Sequence, residues 1–311
     1  MAPQVARPRS CIRIASNPWL ENATLNLLME RLGYLKLFGA KAEIVEAEGV
    51  SGPFDAICAG KADLCMVSGY NKVLARIEQG ASVKIVGAGM RKAAMTVFAQ
   101  PGSIGTLDDL QGKVVAVGPN FGLLHALMLM LLNAKGVDAN RVNFVDMGSN
   151  DQCYRAVAMG KADACCASIS HLRDSNRLTV VSGGNMWEAL PNITFQTAFA
   201  SDAVIRDKNE ELVAVMAAYG ALYNHLMTPE AQDAFLAARK TAQHDFDEPA
   251  ARATWDFIQT QRPYCGNLSL TTTDVSYLQN ELVSIGGLKR SMPYVAVADM
   301  SAARMAARLL G

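Results

Sequence analysis

Short apolar runs alternate with longer stretches of helical periodicity along the N-terminal part of the chain. The runs have the length of buried strands, and the stretches between them space their apolar residues as amphipathic helices do. The pattern predicts strand, helix, strand, helix and strand, and it occurs twice. The predicted strands include 12–15, 42–46, 113–117 and 142–146, and the predicted helices are 20–32, 52–59, 122–134 and 151–159.

The two copies of this pattern are related by an internal repeat. Residues 57–68 read ICAGKADLCMVS, and residues 157–168 read VAMGKADACCAS. In each copy a glycine, Gly60 or Gly160, follows the second helix, where the left-handed conformation open to glycine would end it. An offset this long indicates a duplicated half-domain, since solenoid repeats are only about 20–50 residues long.

Strands that alternate with helices imply parallel pairing with right-handed crossovers, so each copy predicts one α/β lobe. Between the copies, 83–87 and 94–100 are predicted to cross toward the other lobe, and 178–182 and 194–200 offer a return. Beyond residue 207 only helices are predicted, at 208–227, 229–242, 249–261, 273–285 and 302–310.

These elements predict an α/β fold of two doubly wound lobes joined by two hinge strands. We expect residues 1–97 and 195–311 in the first lobe, with the C-terminal helices packed on it, and residues 98–194 in the second. In open parallel sheets, ligands bind beyond the carboxyl ends of the strands. The gap between the lobes is therefore the expected binding site.

The charge balance and the hydropathy argue against two classes of partner. The chain has 29 Lys and Arg residues and 29 Asp and Glu residues, so its formal net charge is zero. A dedicated nucleic-acid binder would carry a positive excess to neutralise phosphates. The most apolar stretch, 123–132, contains His125 and is too short to span a bilayer. We expect no nucleic-acid partner and no membrane span.

The N-terminus and the cysteines leave two compartments open. The first residues, MAPQVARPRS, carry two arginines, but the apolar segment of a secretory signal does not follow them. The seven cysteines form no CxxC pair and no zinc-ligand spacing, so we expect no metal, no cofactor and mostly buried thiols. The alternatives are a cytoplasmic protein and an exported one whose leader is missing from this sequence.

Several segments resemble a known family. They read ERLGYLKLFGAKAEIVE, AGKADLCMVSGY, SVKIVGAG, FAQPGSIGTLDDLQGKVVAVGPNFG and GKADACCAS. They are similar to the type 2 periplasmic-binding-protein fold, and within it to the taurine/alkanesulfonate/nitrate-binding and thiamine-pyrimidine-precursor group. The resemblance implies a periplasmic protein whose lobes close over a small ligand and deliver it to an ABC permease. The cysteine-rich run of the pyrimidine-precursor synthases does not occur here.

Side chains at the predicted strand ends form the candidate ligand site. Small polar groups predominate there, and three aromatic residues would provide apolar walls, which suits a small, partly apolar ligand fixed by a few hydrogen bonds. The polar candidates are Asn17, Ser51, Ser68, Asn71, Thr96, Asn120, Ser149, Asn150 and Ser168, and the aromatic ones are Trp19, Tyr70 and Phe121.

The turn at 118–122, GPNFG, is in addition a candidate anion site. It feeds a predicted helix, so N–H groups near Gly122 and the helix dipole could hold a carboxylate, sulfonate or phosphate. The alternative is an ordinary strand-to-helix turn, in which glycine is common. Neither GxGxxG nor a Walker sequence occurs, so nucleotide binding is not indicated.

The sequence favours a solute-binding protein of an ABC-type importer that closes by hinge motion over a small organic anion, sulfonate-like or aromatic solute. The alternative is a cytoplasmic enzyme on the same fold, of the decarboxylase, lyase or pyrimidine-precursor synthase type. In that case His171, at a predicted strand end, or His125, in the most apolar predicted helix, is the candidate for proton transfer. A cytoplasmic ligand sensor would use the same cleft. No other catalytic residue is assigned.

Overall fold

Two five-stranded sheets, each covered by helices, form the two lobes. The computed structural model describes residues 10–49, 52–173 and 178–311. The strands are β1 Ile12–Ser16, β2 Ala42–Glu46, β3 Leu64–Ser68, β4 Val83–Ala88, β5 Met95–Ala99, β6 Val114–Val117, β7 Asn143–Asp146, β8 Ala164–Ser168, β9 Thr179–Val180 and β10 Thr197–Ser201. The helices are α1 Leu20–Leu32, α2 Tyr34–Leu37, α3 Gly52–Cys58, α4 Tyr70–Glu78, α5 Leu123–Lys135, α6 Asn150–Ala158, α7 Met186–Ala189, α8 Asp202–Asp207, α9 Asn209–Leu226, α10 Gln232–Ala242, α11 Glu248–Gln261, α12 Thr272–Ser284, α13 Tyr294–Val297 and α14 Ser301–Leu309.

Both sheets have the same strand order. The first is β2-β1-β3-β10-β4 and the second is β7-β6-β8-β5-β9. In each sheet the three strands of one sequence copy are parallel, and an inserted strand runs antiparallel to them. The predicted fold of two duplicated α/β lobes is thus confirmed.

The inserted strands are exchanged between the lobes. β5 follows the first copy in sequence but pairs with β8 in the second sheet, whereas β10 follows the second copy but lies between β3 and β4 in the first. The chain therefore crosses between the sheets in the connections 89–94 and 181–196. The strands that were expected to form the hinge lie within the two sheets instead. The expected boundary between residues 97 and 98 falls within β5, and the division by residue number stays a prediction.

The GKAD repeat corresponds to one structural device used twice. The Asp63 carboxylate accepts a hydrogen bond from the Arg13 amide at 2.9 Å, and the Asp163 carboxylate accepts one from the Val114 amide at 2.7 Å. In both cases the aspartate amide donates back to the carbonyl of the same partner at 2.8 Å. Each aspartate thereby joins the start of a lobe's third strand to the start of its first.

The glycine of each repeat is required by its backbone conformation. Gly60 and Gly160 have φ angles of +68° and +69°, and an added Cβ would meet no atom within 4 Å. The left-handed conformation, rather than a lack of space, selects glycine here. Both helix ends predicted from the sequence are confirmed.

Asp63 also pairs with two cations. Its side chain is 3% exposed and accepts hydrogen bonds at 2.9 Å from both the Arg13 guanidinium and the Lys208 ammonium. Lys208 precedes α9, so this cluster ties the C-terminal helices to the first sheet. Burial alone would raise the pKa of Asp63, but the hydrogen bonds from Arg13 and Lys208 outweigh it and lower the pKa below its ordinary value of 3.8.

The C-terminal helices pack mainly on the first lobe, as predicted. α9 and α14 lie against β1 and β4, and α10 packs along α1. α11 also reaches the second lobe, where Asp256 pairs with Arg173 and the Phe257 ring meets the Trp187 ring at 5.1 Å. Among the described helices, none combines the length and apolar character needed to cross a membrane.

The Asp63 cluster generates a stability prediction. Asp63→Asn should lower the free energy of unfolding by about 2–3 kcal/mol at pH 7, because two cations lose a buried carboxylate. The folded-state pKa is depressed, so this stabilisation is present above the ordinary value and is lost as the pH falls through the folded-state value. Urea denaturation at a series of pH values measures both effects.

Asp163→Asn is the matched control. Asp163 holds the equivalent amide, but no cation of the described residues lies within ion-pair distance of it, so we expect a loss of only about 1 kcal/mol. Equal losses for the two variants, or an Asp63→Asn deficit that persists unchanged in acid, would contradict the assigned role.

Candidate functional site

The lobes contact each other directly at the strand ends. The Asn71 side-chain amide, on α4 of the first lobe, donates to the Phe121 carbonyl of the second lobe at 2.8 Å. The neighbouring Tyr70 hydroxyl donates to the Met130 sulfur of α5 at 3.2 Å. Both α4 side chains are buried. Two residues predicted to bind ligand therefore bridge the lobes in this structure.

Phe121 has a strained conformation that is held from both sides. Its φ angle is +52°, a left-handed value that is uncommon for a bulky residue. Its amide donates to His125 Nδ1 at 3.0 Å, within the second lobe, while Asn71 holds its carbonyl from the first. Its ring lies near Gly287 of the C-terminal segment. Backbone strain of this kind concentrates at binding sites and switch regions.

The neutral form of His125 accepts the Phe121 amide bond. An imidazole nitrogen that accepts a hydrogen bond carries no proton, so protonation at Nδ1 would break this contact. Burial of His125 lowers its pKa from the ordinary 6.5 and favours the neutral form. The imidazole thus fixes the turn that presents the Phe121 carbonyl to the first lobe.

The turn before α5 satisfies part of its own hydrogen bonding. The Gly122 amide donates to the Pro119 carbonyl at 2.6 Å, and the Phe121 amide donates to His125. An added Cβ on Gly122 would lie 2.7 Å from the Pro119 oxygen, so this position requires glycine. Two amides of the predicted anion site therefore already have hydrogen-bond partners within the second lobe, and Asn120 is exposed beside them.

Other predicted residues of the first lobe lie at or just after the ends of its strands. The side-chain amide of the buried Asn17 is oriented with its nitrogen toward two carbonyl acceptors. It donates to the Ala47 carbonyl at 2.7 Å and to the Gly49 carbonyl at 2.9 Å, which fixes the segment after β2. Trp19, just before α1, is 49% exposed. The Ser68 hydroxyl donates to the Gly69 carbonyl at 3.4 Å. Ser51 lies outside the described residues.

Predicted residues of the second lobe mostly bond within it. Their hydrogen bonds are from Thr96 Oγ1 to Asn185 Oδ1 at 2.9 Å, from the Gln152 amide to Ser149 Oγ at 3.3 Å, and from the Ser170 amide to Ser168 Oγ at 3.2 Å. Asn150 differs, because its buried Oδ1 has no hydrogen-bond partner. Among the predicted residues, Asn150 and Asn120 therefore have amide groups left for a ligand, and Trp19 and Phe121 expose aromatic surface.

His171 has a carboxylate beside it that the sequence did not reveal. Its Nε2 lies 3.1 Å from Asp151 Oδ1, in the first turn of α6, and its ring stacks on Tyr154 with centroids 4.0 Å apart. The hydrogen bond from His171 lowers the pKa of Asp151 below 3.8. The His171 side chain is only 16% exposed. This arrangement provides an oriented imidazole at the end of β8.

Arg239 was not among the residues predicted from the sequence. This residue of α10 is 2% exposed, and its guanidinium reaches Glu21 in the first turn of α1 and Thr254 in α11. The surrounding sequence, FLAARKTA, is ordinary for an amphipathic helix and gives no signal of a buried cation. In the part of the chain that the structure describes, His, Cys, Asp and Glu side chains form no group of three that could hold a metal ion.

Solved structures share this architecture. The periplasmic aliphatic sulphonate binding protein SsuA from Escherichia coli has a TM-score of 0.77 and 16% identity, covering 93% of this chain and 92% of that one. SsuA from Xanthomonas axonopodis pv. citri, bound to MOPS, has a TM-score of 0.74 and 17% identity, covering 94% and 99%. The nitrate-binding protein NrtA from Synechocystis PCC 6803 has a TM-score of 0.73 and 11% identity, covering 97% and 89%. At these identities the likeness shows a common fold.

The family is shown by a match over more than half of the chain. No curated protein sequence matches the chain. A family model described as NMT1/THI5 like matches residues 22–232, which is more than half of the 311 residues and includes both GKAD segments. The resemblance inferred from the sequence is confirmed, and the chain belongs to the NMT1/THI5-like family.

Proposed function

We propose that the protein is the solute-binding component of an ABC-type importer and that its lobes close over a small organic anion, sulfonate-like or aromatic solute. The observation that carries the proposal is the Asn71–Phe121 hydrogen bond, which joins the strand ends of the two lobes at 2.8 Å. The structural relatives named for sulfonate and nitrate binding support the same role. A periplasmic location and a permease partner belong to this proposal.

The chemistry of the gap suits such a solute. Trp19 and Phe121 expose aromatic surface, and the uncapped N-termini of α1 and α5 favour negative charge. Asn120 and Asn150 add amide groups that can bind polar parts of a ligand. A few polar groups among apolar walls are typical of small-molecule sites.

Closure follows from contacts that exist only when the lobes meet. The bonds from Asn71 and Tyr70 across the gap contribute nothing to an open state, so they bias the equilibrium toward the closed one. A solute shifts the same equilibrium only through its preference for the closed state. The cross-lobe bonds and the solute therefore act together on one conformational change.

Asn71→Ala tests this coupling. A thermal-shift screen of small acids, sulfonates and pyrimidines should identify a stabilising solute, and calorimetry should then show about 3- to 10-fold weaker binding to the variant, because one net hydrogen bond of about 1 kcal/mol is lost from the closed state. Asn143→Ala is the matched control, since Asn143 bonds the Gly112 carbonyl within one lobe.

Two outcomes would contradict the proposal. A screen without any stabilising solute would argue against solute binding. Equal affinities of Asn71→Ala, Asn143→Ala and the unaltered protein for an identified solute would show that closure does not involve this contact.

The His125 contact gives a pH prediction. Because the folded-state pKa of His125 lies below 6.5, its contribution to stability is complete above 6.5 and is lost as the pH falls through the folded-state value. His125→Asn keeps an acceptor for the Phe121 amide but does not titrate, so its stability should fall less steeply than that of the unaltered protein as the pH falls below 6.5.

Denaturation of His125→Asn and His125→Ala checks this point. At pH 8 the alanine variant should be less stable than the asparagine variant by about 1 kcal/mol, because it leaves the Phe121 amide without an acceptor. An asparagine variant as steeply pH-dependent as the unaltered protein would contradict the role of His125.

The Asp151–His171 pair favours one second candidate, an enzyme of the decarboxylase or lyase type. An imidazole oriented by a carboxylate is a common general acid or base. If the protein is such an enzyme, it should release CO₂ from an aromatic carboxylic acid, and His171→Ala should abolish this activity. If the protein only binds a solute, neither the unaltered protein nor His171→Ala should release CO₂ from the acid, and the variant should still bind the solute.

A further inference from the structure

Arg239 is a buried cation whose charge is incompletely paired. Only 2% of the residue is exposed, and Nε has no hydrogen-bond partner. Its other nitrogens donate to Thr254 Oγ1 at 3.2 Å and to Glu21 Oε1 at 3.4 Å. Charge-assisted bonds are usually about 2.7–2.9 Å long, so the contact with the carboxylate is weak. The Arg239 Cζ also lies 5.7 Å from the centre of the Phe235 ring, a cation–π contact. Burying a guanidinium without a close carboxylate still costs free energy unless an anion completes its environment.

The N-terminus of α1 lies at the same place. This helix of 13 residues begins after Trp19, whose side chain makes no capping hydrogen bond. Helix N-termini favour anions through their first amides and the helix dipole. Glu21 is in this first turn, so its carboxylate stands between the helix N-terminus and Arg239. The helix N-terminus and the buried Arg239 guanidinium therefore both favour negative charge at this position.

Glu21 is suited to leave this position. Its side chain is 47% exposed, in contrast to the buried Arg239, so it can turn into solvent. The 3.4 Å contact between the two side chains opposes that movement only weakly. Another anion that approaches Arg239 more closely would replace it.

The position faces the proposed binding gap. α1 starts directly after Asn17 and Trp19 at the carboxyl end of β1, where the solute is expected. Asp151 lies at a strand end of the opposite lobe; its hydrogen bond from His171 lowers its pKa most, and the Arg239 charge lowers it further. Arg239 therefore acts electrostatically on both sides of the gap.

We propose that Arg239 and the first turn of α1 bind the acidic group of the solute, a carboxylate or sulfonate, and that Glu21 occupies this position until the solute displaces it. This inference rests on the proposed solute-binding function and specifies one end of its ligand. It predicts opposite effects for two neighbouring substitutions. Glu21→Gln removes the competing charge and should strengthen anion binding, whereas Arg239→Gln removes the binding group.

Inorganic sulfate is the probe, because it has the oxyanion chemistry without any organic part. We would titrate sodium sulfate at millimolar concentration, with sodium chloride matched in ionic strength, and follow the melting temperature and the heat of binding. Glu30→Gln is the matched control, since it removes the same charge from the other end of α1. Glu21→Gln should bind sulfate about tenfold more tightly than Glu30→Gln and the unaltered protein. Arg239→Gln should show no saturable response.

The proposal is overturned if Glu21→Gln and Glu30→Gln bind sulfate equally, if saturable binding survives Arg239→Gln, or if none of the proteins binds sulfate. If Arg239→Gln fails to fold, the comparison of the two glutamate variants decides alone. Failure of the general function has a different signature: no organic solute binds, although sulfate still distinguishes Glu21→Gln from Glu30→Gln. A solute that binds all glutamate variants equally supports the function and contradicts this site.

Discussion

The exchange of one strand between two sheets is the constraint on which the rest of the structure depends. β5 leaves the first lobe to pair with β8, and β10 returns to lie between β3 and β4. Neither sheet is complete without a strand from beyond its own sequence copy. The exchange also ties the lobes together by two crossings, so that the carboxyl ends of their strands meet across one gap. This topology is the reason why the proposed binding site lies between the lobes.

The contacts between the lobes connect local chemistry with the proposed movement of the lobes. Phe121 is held in a left-handed conformation by His125 from its own lobe and by Asn71 from the other. Its turn is therefore shared between the lobes, and a change in protonation or separation of the lobes would act on the same few atoms. Arg239 and Glu21 offer a second connection, between the C-terminal helices and the start of α1.

Local patterns were sufficient to predict the elements and their duplication. Helix α1 and strand β2 have the predicted bounds, because apolar periodicity and the following glycines define them within a short window. The GKAD repeat identified two aspartates with equivalent bonds to a neighbouring strand. Strand ends could also be predicted to face a gap, since parallel α/β sheets place them at one edge.

The partners of individual side chains could not be predicted, because they depend on distant parts of the chain. Tyr70 and Asn71 were expected to bind a ligand, and in the structure they reach the opposite lobe. Asp151 beside His171, and Arg239 beside Glu21, meet only through packing of separate helices, which no short sequence window records.

Small-angle X-ray scattering with and without an identified solute tests the central claim most directly. The account predicts that saturating solute makes the protein more compact; an unchanged radius of gyration would contradict closure of the lobes over the solute.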